Sequence, residues 1–192
     1  GCRARVASGL TWAFSLVEEA IILEDDISFD PSLARYCEEL LERYRDDPRV
    51  GSISATDYSR GCRPGHESYW TFGLWRERAY WRAVLLRTSR GERDSWGYRW
   101  LLSCWRHGML GIQPAHSLAD NRGFGDEATH TRRDPYRLER ARAMTFPLCH
   151  PARVERDVIG DRAIEDRAFS KNMFHRLAWL GRLGRLPGPA GG

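Results

Sequence analysis

The sequence predicts an α/β fold, a mostly parallel sheet flanked by helices. Three observations carry that expectation. A segment of helical apolar period runs into a short apolar stretch, Ala20-Ile21-Ile22-Leu23, which stops at three consecutive acids, Glu24-Asp25-Asp26. A second helical pattern follows, then residues 50–55, which alternate as a strand does. The links between them are short, and helices alternating with strands through short links are the mark of a mainly parallel sheet.

The first helix is expected over residues 3–17, where Val6, Leu10, Ala13, Phe14 and Val17 share a face suited to packing on the sheet. Residues 20–23 are apolar on both faces, as in a fully buried strand. Asp30 and Pro31 open the next helix, as N-cap and first helical residue. That helix buries Leu33, Tyr36, Cys37, Leu40, Leu41 and Tyr44, and ends by Pro48. Residues 57–68 read as a loop, and residues 78–86 are compatible with a helix. A further helix covers residues 96–107, with Trp96, Trp100, Leu101, Cys104 and Trp105 on one face and Gly108 as its stop. A short strand is expected over 109–113. Then come a Gly-rich loop at 121–127 and a basic amphipathic helix over 161–183 with a flexible tail. Residues 1–151 are thus one domain and 152–192 a C-terminal helix and tail.

Composition narrows the function. With 192 residues there is room for one domain with a sizeable core. The net charge is +4, and Lys171 is the only lysine. The modest positive charge fits an anionic ligand such as a nucleotide diphosphate, or loose contact with an anionic membrane surface. The arginines alternate with acids, so the charge does not by itself argue for nucleic acid, and none is expected as partner. The five cysteines are scattered without zinc spacing, as expected of reduced thiols in a cytoplasmic protein. No apolar run is long enough to cross a bilayer and no signal peptide is visible. Gly1 is not an initiator methionine, so a processed, engineered or fragmentary chain is expected. G-x-S-x-G, Walker and H-E-x-x-H motifs are missing, which leaves those hydrolase, NTPase and zincin chemistries without support.

Three carboxylates beyond a strand end repel one another unless a cation lies between them, and Mg²⁺ typically combines one or two carboxylates with phosphate and water. A solvated acidic turn is the plain alternative. His130, in a polar Gly-containing loop, is a better candidate ligand than the other five histidines. Most of the eight tryptophans fall between Tyr69 and Trp105, where they can serve the core or stack on a sugar-like ligand.

Several blocks in order resemble the bacterial GT-A-type nucleotide-diphospho-sugar transferases, in particular the hemolytic-protein-like or family-2-like glycosyltransferases. They are Gly1-Cys2-Arg3 through Phe14, then Glu18 to Asp26, then Ser95-Trp96-x-Tyr98-x-Trp100 with Cys104-Trp105. Gly123-Phe124-Gly125-x-x-Ala128-Thr129-His130-Thr131 and Pro147-Leu148-x-His150-Pro151 follow.

The resemblance implies a GT-A-like, Rossmann-like domain without its usual first β-α-β segment, the part that holds the base and ribose. It implies a nucleotide diphosphate sugar as donor, a saccharide or lipid-linked acceptor, and a cytoplasmic site with peripheral contact at the inner membrane. Glu24, Asp25 and Asp26 match the D-x-D signature and would bind the nucleotide sugar. Asp26 and His130 would hold Mn²⁺ or Mg²⁺, and Trp75, Trp81 and Trp96 would meet the acceptor. Where the family has an Asp general base between Trp and Tyr, this chain has Gly97, and Asp94 is the substitute candidate. A degenerate, non-catalytic remnant that binds saccharide or a protein partner is the alternative expectation.

Overall fold

A computed structural model describes residues 1–59, 67–72, 78–92, 94–123 and 139–164. The chain is a mixed α/β protein with helices α1 (Cys2–Ala13), α2 (Ser32–Tyr44), α3 (Arg78–Ser89), α4 (Gly97–Arg106) and α5 (Val158–Ile164). Its strands are β1 (Ile27–Phe29), β2 (Val50–Ile53), β3 (Tyr69–Phe72), β4 (Leu110–Pro114) and β5 (Ala119–Asn121).

The strands form two small sheets. In one, β4 lies between β2 and β3, parallel to the first and antiparallel to the second. In the other, β1 and β5 run antiparallel, with Ile27 opposite Asn121 and Phe29 opposite Ala119. Among the described residues the β2–β4 pairing is parallel and the other two are antiparallel, so the α/β class is present with a small parallel element. Residues 20–23 are a correction: they form no strand, and Ile21, Ile22 and Leu23 are each about 45% exposed. A strand exists only by exchanging backbone hydrogen bonds with a neighbour, and none of the described strands lies beside this run. The first strand begins instead at Ile27, after the acids.

Helix α2 organises the core. Asp30 Oδ1 accepts from the backbone N–H and the hydroxyl of Ser32, 2.9 and 2.6 Å away, which anchors the helix start. These hydrogen bonds hold the Asp30 carboxyl below its ordinary pKa. The amphipathic period then buries Leu33, Tyr36, Cys37, Leu40 and Tyr44 against Tyr69 of β3, Ile112 of β4, Leu118, Met144 and Leu148. Leu41, expected in that face, is half-buried.

A second cluster joins Trp81 and Val84 of α3 to Ile164 of α5, with Tyr98, Leu101 and Trp105 of α4 around them. Trp81 meets Trp105 edge-on at 5.0 Å between ring centres. Gly108, at φ 68°, reverses the chain out of α4, with Met109 N–H bonded to the Cys104 carbonyl at 2.9 Å. Helix α5 starts three residues before the expected position, and what was expected beyond Ile164 lies outside the described residues. Helix α1 is present but has no buried residue among those assessed; Trp12 is 68% exposed, so the packing expected of it on a sheet is not realised.

Candidate functional site

The acidic turn is held by the β1–β5 pair. Ile27 N–H bonds back to the Glu24 carbonyl at 3.2 Å, which folds the three acids into a turn immediately before β1. Arg122, just past β5, donates its backbone N–H to the Asp26 carbonyl at 2.7 Å and its Nε to Ser28 Oγ at 2.8 Å. Both chain ends are therefore pinned at one place, the carboxylate of Asp26 between them.

Gly123 makes that arrangement possible. A Cβ there would lie 2.1 Å from Asp26 Oδ2, a separation no side chain tolerates. Gly123 N–H donates to Asn121 Oδ1 at 2.7 Å, which fixes the backbone against the carboxylate. The other oxygen, Asp26 Oδ1, is shielded from solvent and has no hydrogen-bond partner among the described residues. A buried carboxylate oxygen without a donor is costly, which makes Asp26 the candidate residue of this turn.

The neighbouring acids are used differently. Glu24 Oε1 accepts from the Trp96 indole N–H at 2.8 Å, which ties the turn to the start of α4. Asp25 is exposed. Asp94, two residues before Trp96, is exposed and pairs with Arg3 at 3.8 Å. Gly97 is the first residue of α4. Trp81 is 4% exposed and serves the core, so its ring offers no surface for an acceptor. Trp75 and His130 lie outside the described residues. Among the described residues, no three His, Cys, Asp or Glu side chains converge as a metal cage.

Two polar networks went unnoticed in the sequence. Asp57, just beyond β2, is 1% exposed and its Oδ1 accepts from Ser59 N–H (2.8 Å), the Ser59 hydroxyl (2.6 Å) and Gln113 Nε2 (2.9 Å). Its backbone N–H donates to Ser117 Oγ at 3.1 Å. The cluster sits at the carboxyl end of the β2–β4 parallel pair, where ligands of α/β proteins collect, and Gln113 Oε1 is buried there without a partner. An acid shortly after a strand pattern was the available signal, the same one that drew attention to Asp26.

The second network runs Arg43, Tyr44, Tyr69, His150, Glu39. Arg43 Nε donates to the Tyr44 hydroxyl at 3.2 Å, and the two tyrosine hydroxyls are 2.6 Å apart. The Tyr69 hydroxyl is 2.6 Å from His150 Nδ1, and His150 Nε2 is 3.4 Å from Glu39 Oε1. Burial first, then the bond to Tyr44, raises the Tyr69 phenol well above its ordinary pKa. Burial first, then the Arg43 charge, lowers that of His150, with Glu39 opposing. No signal in the sequence brings residues so far apart together.

Neither a protein-family model nor a curated protein nor a solved structure matches the chain. Among the described residues no helix is long and apolar enough to cross a membrane.

Proposed function

We propose that the chain is a metal-dependent glycosyltransferase domain of GT-A type, taking a nucleotide diphosphate sugar as donor and a saccharide or lipid-linked molecule as acceptor. The observation that carries this reading is the Asp26 carboxylate: one oxygen buried without a partner among the described residues, the other packed on a glycine. A hard oxygen donor of this kind fits Mg²⁺ or Mn²⁺, which need few protein ligands when phosphate and water complete the shell. When bound, such an ion would neutralise the diphosphate as it departs.

The chain's own residues supply position and shape. Asp26 holds its carboxylate against Gly123, Arg122 clamps the turn through the Asp26 carbonyl, and Glu24 steadies the Trp96 indole instead of binding an ion. Asp25 is left to meet the donor from solvent, and Trp96, half-buried, is the ring retained from the expected acceptor set. His130 stays in the proposal as the second ligand and Trp75 as an acceptor contact, both on sequence grounds. With Gly97 opening α4 and Asp94 engaged by Arg3, proton removal from the acceptor has weak support, so slow transfer is expected.

The test is thermal stability with Mn²⁺ and a panel of nucleoside diphosphates, on wild type and Asp26→Asn. A ligand at a hundred times its dissociation constant stabilises by about 2.7 kcal/mol. A Mn²⁺-dependent rise in melting temperature that the variant loses is the expected result. An equal rise in both proteins, or none in wild type, removes the proposal. A second reading, a non-catalytic relative that binds saccharide or a protein partner, is favoured by Gly97; it predicts binding with no sugar transfer at any metal concentration.

A further inference from the structure

Residues 18–23 are the one described stretch where a strand-like apolar sequence lies open. In a strand Ile21 and Ile22 would point to opposite sides; here each is 45% exposed, with Leu23 at 44%. All three are therefore only partly covered. No backbone N–H or carbonyl of residues 18–23 takes part in a hydrogen bond with the described chain. A segment apolar on both faces belongs inside a sheet, and an unpaired one is a template for another strand. Trp12, Phe14, Leu16 and Val17, all largely exposed, extend the apolar surface on its N-terminal side.

Charge says what kind of strand fits. The run is bracketed by Glu18 and Glu19 before it and by Glu24 and Asp25 after it. Glu19 is paired with Arg45 at 3.3 Å and Glu24 with the Trp96 indole, whereas Glu18 and Asp25 have no partner in the described chain. A second copy cannot pair well. The antiparallel register that uses the whole run sets Ile21 opposite Ile22, and so places Glu18 opposite Asp25 at both ends. In-register parallel pairing sets each acid beside its own copy. Like charges directly across a ladder are destabilising, and the same acids repel an anionic lipid surface.

We propose that residues 18–23 are a docking strand for another polypeptide, which adds an extended apolar segment carrying arginine or lysine at both ends. Backbone hydrogen bonds supply the attachment and the flanking charges select the partner. The inference shares Asp25 with the proposed donor site, but peptide binding needs neither metal nor nucleotide, so its failure and that of the Asp26 reading are read separately.

The experiment uses the whole chain and two labelled, end-blocked octapeptides, Arg-Arg-Val-Ile-Val-Val-Arg-Arg and the same sequence with Glu for Arg. Binding is read by fluorescence anisotropy, and its place by hydrogen exchange of the residue 20–23 amides. Wild type is expected to bind the arginine peptide at least about tenfold more tightly, with those amides slowed and with weakening as salt rises. The double variant Glu18→Lys, Asp25→Lys is expected to reverse the preference. Circular dichroism checks its fold, and Ile22→Lys, at an exposed position, is expected to abolish binding of either peptide. Equal binding of both peptides by wild type, or no slowing of those amides, overturns the proposal. So does a dimer in which they are already protected, or capture by phosphatidylcholine vesicles that the peptide does not relieve.

Discussion

At the scale of single residues, the chain from Arg43 to Glu39 has a direction. Arg43 donates to Tyr44, and an order in which Tyr44 donates to Tyr69 and Tyr69 to His150 Nδ1 leaves His150 Nε2 3.4 Å from Glu39 Oε1. That order requires neutral His150. A proton on Nδ1 would face the Tyr69 hydroxyl and force the tyrosine protons back toward Arg43. The lowered folded-state pKa agrees with this. Because the unfolded histidine, at about 6.5, binds its proton more readily, stability is complete above that pH and falls as pH drops below it. Urea midpoints measured between neutral and mildly acidic pH should decline in wild type and decline less in His150→Gln. Tyr69→Phe takes out the central link and should cost about 1–3 kcal/mol at neutral pH. A loss under half of that lower bound would mean water replaces the hydroxyl. At the acidic turn, Gly123→Ala drives a methyl into Asp26 Oδ2. The expected result is a fold retained by circular dichroism with loss of any Mn²⁺-dependent thermal shift.

At the scale of elements, Gly51 in β2 shows how tightly α4 and the sheet are seated. A Cβ there would lie 2.9 Å from Met109 Cβ and Sδ and 3.2 Å from Cys104 Sγ. Gly51→Ala should cost about 1–3 kcal/mol by overpacking, read from the shift in urea midpoint. If the cost is near zero, the methionine has simply swung aside. Elements were legible in the sequence where a periodic face had a core to meet. Helix α2 is the clear instance: five of its six expected core residues are buried, because a 3.6-residue period states both the helix and its inward face. Residues 96–107 gave α4 for the same reason and 50–55 gave β2, while 78–86, where α3 lies, were only compatible with a helix. The run at 20–23 misled because apolarity states a need for burial but not the presence of a partner strand. Strand β5 escaped notice since Ala119-Asp120-Asn121 has no strand composition; its pairing with β1 is imposed from outside the segment.

At the scale of the whole molecule, the sequence told the α/β class but not the division into two sheets, which depends on pairings remote in the chain. The Asp26 turn was legible as a candidate because three adjacent acids are rare beside an apolar run. Its clamp by Arg122 and Gly123 was not, since it joins positions almost a hundred residues apart. The same distance governs the core. Helix α2 is covered by Met144 and Leu148, while Met144 N–H bonds Ser32 Oγ at 2.9 Å and Leu148 N–H bonds Glu39 Oε1 at 3.2 Å. The face of α2 meets β2 first, then Tyr69 and Ile112, and is completed only when Met144 and Leu148 arrive. Long loops closed late make for slow folding and a long exposure to aggregation. Refolding from denaturant is therefore expected to be slower than for a helical protein of similar size, and Ser32→Ala, which removes the hydroxyl that ties α2 to Met144, is expected to lower the urea midpoint.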